Sequence, residues 1–166
     1  PDLVIIQIGI VDCAPRIFRP VERLILKVIN KLPFFHNFAK IIFSLVSRNR
    51  FTITRIRSIP LVKLEEFKNN ITNFIKEVRK IKYDCKIIVI NIVKPNEIYQ
   101  SRNFGALKQI KEYNESILEI TEFFNGSLID LYSFTSEHPE SLVDDGYHIN
   151  EIARKFLFKK LIIFIS

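Results

Sequence analysis

The sequence predicts an α/β protein of three layers, with helices on both faces of a parallel sheet, and three observations support this. Nearly unbroken apolar runs of strand length recur at Leu3–Ile8, Lys86–Ile92 and Ser127–Leu131. Such runs suit strands buried on both faces. Between them, apolar residues recur at spacings of three and four, the period of a helix with one face in a core. Alternation of the two patterns implies parallel strands joined by right-handed crossovers. Composition agrees: 166 residues with 48% hydrophobic and 26% charged are ordinary for one globular core. Two cysteines exclude a disulfide-stapled scaffold. No uncharged apolar run reaches the roughly 18 residues of a membrane-spanning helix.

The first strand ends at Gly9. From Phe18 to Phe51 the chain departs from a short crossover and reads as two amphipathic helices broken at Leu32-Pro33. Arg23, Lys27 and Lys31 share one polar stripe; His36, Lys40, Ser44 and Arg48 share another. The other faces are apolar, with Leu24, Ile25, Val28, Phe35, Phe38, Ile42, Phe43 and Val46. The stripe Leu64, Phe67, Ile71, Phe74, Val78 and Ile81 predicts the next helix, with Pro60 suited to its first turn. A further stripe, Leu107, Ile110, Ile117, Ile120 and Phe124, precedes the third strand. Asn150 is placed to cap a last helix through Ile152, Phe156 and Leu157, with Glu151 favourable in its first turn. Three strands are few for such a sheet. With no Met, and a strand beginning two residues after Pro1, the expectation is one partial domain over residues 1–166, an internal piece of a longer protein whose N-terminal strands lie upstream. Residues 18–51 form a basic helical insertion within it.

Net charge is +7, and it is concentrated. Between Cys13 and Ser58 ten basic residues face only Glu22, a local charge of +9 that leaves the rest of the chain at −2. Such a patch suits an anionic partner: a membrane surface, an acidic glycan or nucleic acid. It equally suits a solvated helical face. Nucleic acid is the weakest of these, because no helix-turn-helix, zinc or RNA-binding motif accompanies the charge. Cys13 lies beyond the C-terminal end of the first strand and Cys85 before the N-terminal end of the second. A seven-residue strand spans about 23 Å, so the expectation is two free thiols. They fit a cytoplasmic protein, with the basic helices reaching a membrane peripherally.

In open parallel sheets ligands bind beyond the carboxyl ends of the strands. At the third such end stands Asp144-Asp145-Gly146-Tyr147-His148-Ile149-Asn150. Three residues of separation let the Asp145 carboxylate reach His148 Nδ1, fixing the tautomer and leaving Nε2 to act as a base. The bland reading is a solvated loop that caps a helix. His36 and His138 read as surface residues. Cys13 as a nucleophile would need a lowered pKa and His148 on its side. No Gly-rich phosphate loop follows a strand, which argues against a nucleotide-binding doubly wound domain.

Together these segments resemble the SGNH/GDSL hydrolases, the Ser-Gly-Asn-His esterases and lipases. Pro1–Asp12, a strand ending in Gly9-Ile10-Val11-Asp12, is similar to the family's third block. Asp145-Gly146-Tyr147-His148-Ile149-Asn150 is similar to the fifth. Tyr113-Asn114 and Leu128-Ile129-Asp130-Leu131 resemble the usual spacers between them. The resemblance covers the second half of the family's flavodoxin-like fold. It implies ester hydrolysis with His148 as base and Asp145 as its orienting partner, with no metal or organic cofactor. It also implies a small acyl-ester or acylated-glycan substrate, commonly acetylated. The Gly-Asp-Ser nucleophile block has no counterpart here, so this chain alone is expected to be inactive. Val11 stands where the family has its oxyanion-hole Asn and cannot donate; losing one such donor typically costs about 100- to 1000-fold in rate. Gly9, Asp12 and Arg16 are the candidate substrate or oxyanion residues in that region. The alternative is a non-catalytic relative that binds a glycan or an anionic membrane surface through its basic helices.

Overall fold

A computed structural model describes residues 1–30 and 36–165. Strands β1 (Leu3–Gln7), β2 (Lys86–Ile90) and β3 (Ser127–Ile129) form a parallel sheet in that order. Leu3 pairs with Lys86 and Gln7 with Ile90, while Ile88 pairs with Ser127 and Ile90 with Ile129. In β2 successive side chains alternate between faces, and Ile87 through Ile90 are all buried. Ile87 and Val89 pack under α5 (Leu64–Ile81) and α7 (Ala106–Phe123), against Phe67, Ile71, Ile75, Ile110 and Ile117. Ile88 and Ile90 pack on the opposite face with Leu131, Ala153 and Leu157, from α8 (Leu131–Glu137) and α9 (Glu151–Ile165). The result is the expected three-layer α/β/α arrangement around a short parallel sheet.

β1 is an edge strand among the described residues, as expected for a sheet whose N-terminal strands lie upstream. Several other features depart from the expectation. Only Ile6 of β1 is buried, so its apolar run is not covered on both faces. Helix α5 begins at Leu64, four residues after Pro60. Pro60 instead follows an isolated antiparallel bridge between Arg16 and Ile59, and the N–H groups of Leu61 and Val62 both donate to the Asp12 carbonyl. That pairing holds residues 59–62 off the helix. Ile75 takes the core position on α5, while Phe74 and Ile81 lie on its exposed flank at 51% and 76% accessibility. Short helices α1 (Ile10–Cys13), α6 (Glu97–Arg102) and α8 fill strand-end connections that carry no helical period.

The basic segment forms α2 (Pro20–Asn30) and α3 (His36–Arg48), and continues beyond Phe51 as α4 (Arg50–Ile56). The Leu32–Pro33 break, Lys31, Phe35 and the side chains of His36 and Phe38 lie outside the described residues. Arg23, Lys27, Lys40 and Arg48 are exposed, as expected. So are apolar residues between them: Val21, Leu24, Ile25 and Val28 on α2, and Ile41, Phe43 and Leu45 on α3. No helix among the described residues is long and apolar enough to cross a membrane.

Candidate active site

The segment Leu142–Ile149 is a tight loop closed by an antiparallel bridge between its two end residues. The Val143 N–H donates to the His148 carbonyl at 2.9 Å, and the Gly146 N–H to the Val143 carbonyl at 2.9 Å. Gly146 supplies the turn with φ +83°. A Cβ there would land on the Asn96 amide, 2.6 Å from its Cγ. Asn96 ties this loop to the one after β2: its N–H donates to the Gly146 carbonyl at 2.9 Å, and its side chain caps α6 through the Tyr99 N–H at 3.0 Å. Asn150 caps α9, accepting from the Ile152 N–H at 2.9 Å.

Within this loop Asp145 folds back on its own backbone. Its Oδ1 accepts from the Tyr147 N–H at 3.1 Å and the His148 N–H at 3.0 Å, and its Oδ2 lies 2.5 Å from His148 Nδ1. Burial pushes the Asp145 carboxyl up, but the His148 ring and the two backbone N–H groups outweigh it and hold the group below the usual carboxylate range. Asp145 is therefore ionised at neutral pH, and a carboxylate facing Nδ1 favours the tautomer with its proton on that nitrogen. The Tyr147 ring packs against the imidazole with centroids 4.1 Å apart.

His148 lines a cleft of about 210 Å³ beyond the carboxyl ends of all three strands. Its other walls include Gln7 at the end of β1, Ile8 and Ile10 beyond it, Ile92 after β2 and Leu131 after β3. Two asparagines buttress this floor. Asn91 donates to Asp130 Oδ1 at 2.8 Å and accepts from the Tyr132 N–H at 2.9 Å. Asn114 accepts from the Ile92 N–H at 2.8 Å and donates to the Ile92 carbonyl at 2.9 Å.

The remaining sequence candidates divide. Gly9 turns the chain out of β1 with φ +119°, where a Cβ would meet Ile92 Cδ1 at 2.6 Å. Asp12 contributes its carbonyl to Leu61 and Val62, and its side chain lines neither this cleft nor the neighbouring one. Val11 and Arg16 line that neighbouring cleft of about 280 Å³, together with Arg50, Tyr99, Arg102 and Asp145. Cys13 is fully buried and its thiol is pushed up to about 12 by that burial, which leaves it inert. His138 sits on the surface, 3.1 Å from Glu140. Among the described residues no three His, Cys, Asp or Glu side chains gather as metal ligands. Asn114 was marked only through the Tyr113-Asn114 spacer and Asn91 only as a polar residue within the second apolar run; Asn96, Arg50 and Arg102 had no motif to mark them.

No family model matches the sequence, and no curated protein does. Solved structures match the fold. A lipase/acylhydrolase from Enterococcus faecalis aligns with TM-score 0.53 and 22% identity, over 63% of this chain and 52% of that one. A catalytic mutant of an acetylxylan esterase from Geobacillus stearothermophilus aligns over all of this chain and 60% of its own, with TM-score 0.58 and 17% identity. An alpha/beta hydrolase from the metagenome of Lake Arreo, Spain, aligns over 95% of this chain and 56% of its own, with TM-score 0.55 and 15% identity. The chain carries part of an SGNH/GDSL hydrolase fold. It spans 52% to 60% of the length of these structures. The Asp145–His148 loop stands at the strand-end cleft of the described sheet.

Proposed function

We propose that this chain is the C-terminal part of an SGNH-type ester hydrolase acting on small acyl esters or acetylated carbohydrate. The observation that carries the reading is the 2.5 Å contact between Asp145 Oδ2 and His148 Nδ1 at the mouth of the strand-end cleft. His148 Nε2 takes the proton of a nucleophilic serine as that serine attacks the ester carbonyl. Asp145 holds the ring and stabilises the imidazolium that forms. The imidazolium then protonates the leaving alkoxide, and in the second step the same nitrogen activates water to cleave the acyl-enzyme. No serine lines the cleft among the described residues. The nucleophile belongs to a segment upstream, which would also supply the neighbour for the free edge of β1. The acetylxylan esterase likeness favours an acetylated saccharide. The two buried free thiols fit a reducing compartment such as the cytoplasm.

The test uses the longer parent protein with nitrophenyl acetate and an acetylated xylooligosaccharide. His148→Ala should remove most of kcat, and Asp145→Asn should lower it by roughly 10⁴, the size of that change in a Ser-His-Asp protease. Asp144→Asn should act near wild type, because Asp144 is exposed and outside the hydrogen-bonded pair. Near-normal rates for both His148→Ala and Asp145→Asn, in variants folded by circular dichroism, end the reading.

A second reading rests on the exposed apolar residues of α2 and α3, set between exposed cations. We propose that this face lies on an anionic membrane surface, with its apolar side chains in the headgroup boundary and its lysines and arginines on lipid phosphates. Vesicles of phosphatidylserine and phosphatidylcholine should co-sediment the chain, and raising the salt should release it. Equal binding to neutral vesicles contradicts this.

A further inference from the structure

The cleft beside the Asp145–His148 loop has a chemical character the hydrolase reading does not use. Three guanidinium groups, of Arg16, Arg50 and Arg102, line its walls with Tyr99 and Asn103. They come from the segment after α1, the start of α4 and the end of α6. Arg16 donates to the Val11 carbonyl at 2.9 Å, yet its Nε is buried with no partner. Arg50 donates to Asn103 Oδ1 at 2.6 Å and to the Pro15 carbonyl at 3.3 Å. Both contacts fix the side chain and leave further N–H groups free, since each guanidinium has five donors. None of the three arginines is in an ion pair among the described residues. Asp145 is the carboxylate on the wall, and its oxygens are already taken by His148 and two backbone N–H groups.

Gathering like charges around a concave space is costly unless an anion fills it. Burial lowers the pKa of Arg16, and the neighbouring charges of Arg23 and Arg50 press the same way. Planar guanidinium forks match the paired oxygens of a carboxylate or phosphate. A volume of about 280 Å³ is ample for such a group and part of the unit that carries it.

We propose that the cleft of Arg16, Arg50 and Arg102 is an oxyanion-binding subsite that holds a carboxylate or phosphate of the substrate while its ester group lies at His148. The substrate-positioning role rests on the hydrolase reading; the binding of an oxyanion does not. The preferred ligand is thus an acylated unit that also carries an acidic group, such as an esterified uronic acid or sugar phosphate, held more tightly than a neutral acylated sugar.

The binding test needs only this chain. Inorganic phosphate, glucuronate and glucose are titrated separately at constant ionic strength while the arginine Nε–Hε resonances are followed by NMR. A saturable shift of the Arg16 signal with phosphate or glucuronate, and none with glucose, is expected; which anion binds more tightly identifies the group. Arg16→Gln and the more exposed Arg102→Gln should each weaken binding about tenfold or more, as loss of a charge-assisted contact does. Arg102→Gln guards against an Arg16 variant that fails to fold. Glucose binding as well as glucuronate, no shift at Arg16, or unchanged affinity in the folded variants overturns the proposal. In the parent protein, His148→Ala should abolish turnover and leave anion binding intact. Anion binding with turnover indifferent to His148 would sink the hydrolase reading alone, whereas turnover dependent on His148 without anion binding would sink the subsite alone.

Discussion

Replacing Gly146 by alanine tests whether the loop that presents Asp145 and His148 is held by the Asn96 contact. Two costs can be worked from the geometry. Gly146 has φ +83°, and a Cβ in the left-handed region costs about 1–2 kcal/mol. The new methyl also lands on the Asn96 amide, so that side chain must turn away and give up its cap on the Tyr99 N–H. Loss of such a cap costs about 1 kcal/mol. The stiffer unfolded chain returns about 0.4–1 kcal/mol. The net expectation is a destabilisation of about 2 kcal/mol. Asn96→Ala alone should cost about 1 kcal/mol. The double variant should then cost about as much as Gly146→Ala alone, because the cap is lost only once. That is a coupling of about 1 kcal/mol in a double-mutant cycle. Urea unfolding followed by far-UV circular dichroism measures all four proteins. A Gly146→Ala variant within 0.5 kcal/mol of wild type, or singles that simply add, would refute the reasoning.

Two further outcomes follow from the hydrogen bonding under the site. Asn114→Ala strips both the N–H and the carbonyl of the buried Ile92 of their partners, and should cost about 2–4 kcal/mol in the same unfolding assay; Asn114→Asp should not rescue it, because a carboxylate cannot donate to the Ile92 carbonyl. Asp145 has a folded pKa below its ordinary value, so the stability it contributes is complete above about pH 4 and is lost as pH falls through the lowered value. The difference in unfolding free energy between wild type and Asp145→Asn should therefore be largest near neutrality and shrink below about pH 4. It should stay modest, because the carboxylate is 40% exposed and screened. A difference that grows on acidification contradicts the assignment.

The layers were legible in the sequence because the central strand is what an apolar run describes best. Ile87 through Ile90 face two cores at once, so every position is hydrophobic. Leu3–Ile8 looks the same in sequence yet forms an edge strand with one buried residue, since an apolar run records what residues can bury and not what covers them. The long helices α5 and α7 announced themselves by period. Helices α4, α6 and α8 have seven, six and seven residues, too few for a period to emerge. Pro60 misled because its local fitness for a helix start competes with a bridge from Ile59 to Arg16, a partner far back in the chain that local reading cannot see.

The candidate site divides along the same line between local and distant information. Asp145 and His148 were legible because a three-residue turn brings them together whatever the rest of the fold does, and the observed contact is built almost wholly from residues 145–148. The arginine cleft was not, because Arg16, Arg50 and Arg102 meet only once the basic helices have packed back beside the strand ends. In sequence Arg16 stood out as a candidate beyond the first strand, Arg50 was one of ten cations in the basic segment and Arg102 lay outside it; in space they face one concavity. Ile10 and Tyr147 are walls of both clefts. The Tyr147 ring packs on Tyr99 with centroids 4.9 Å apart and on His148 at 4.1 Å. An anion held among the arginines thus borders the ring on which the imidazole rests, and the carboxylate that orients that imidazole lines the same wall. A ligand in the arginine cleft is therefore separated from His148 by one aromatic side chain, Tyr147, and that shared wall is what lets the proposal place a single substrate across both clefts.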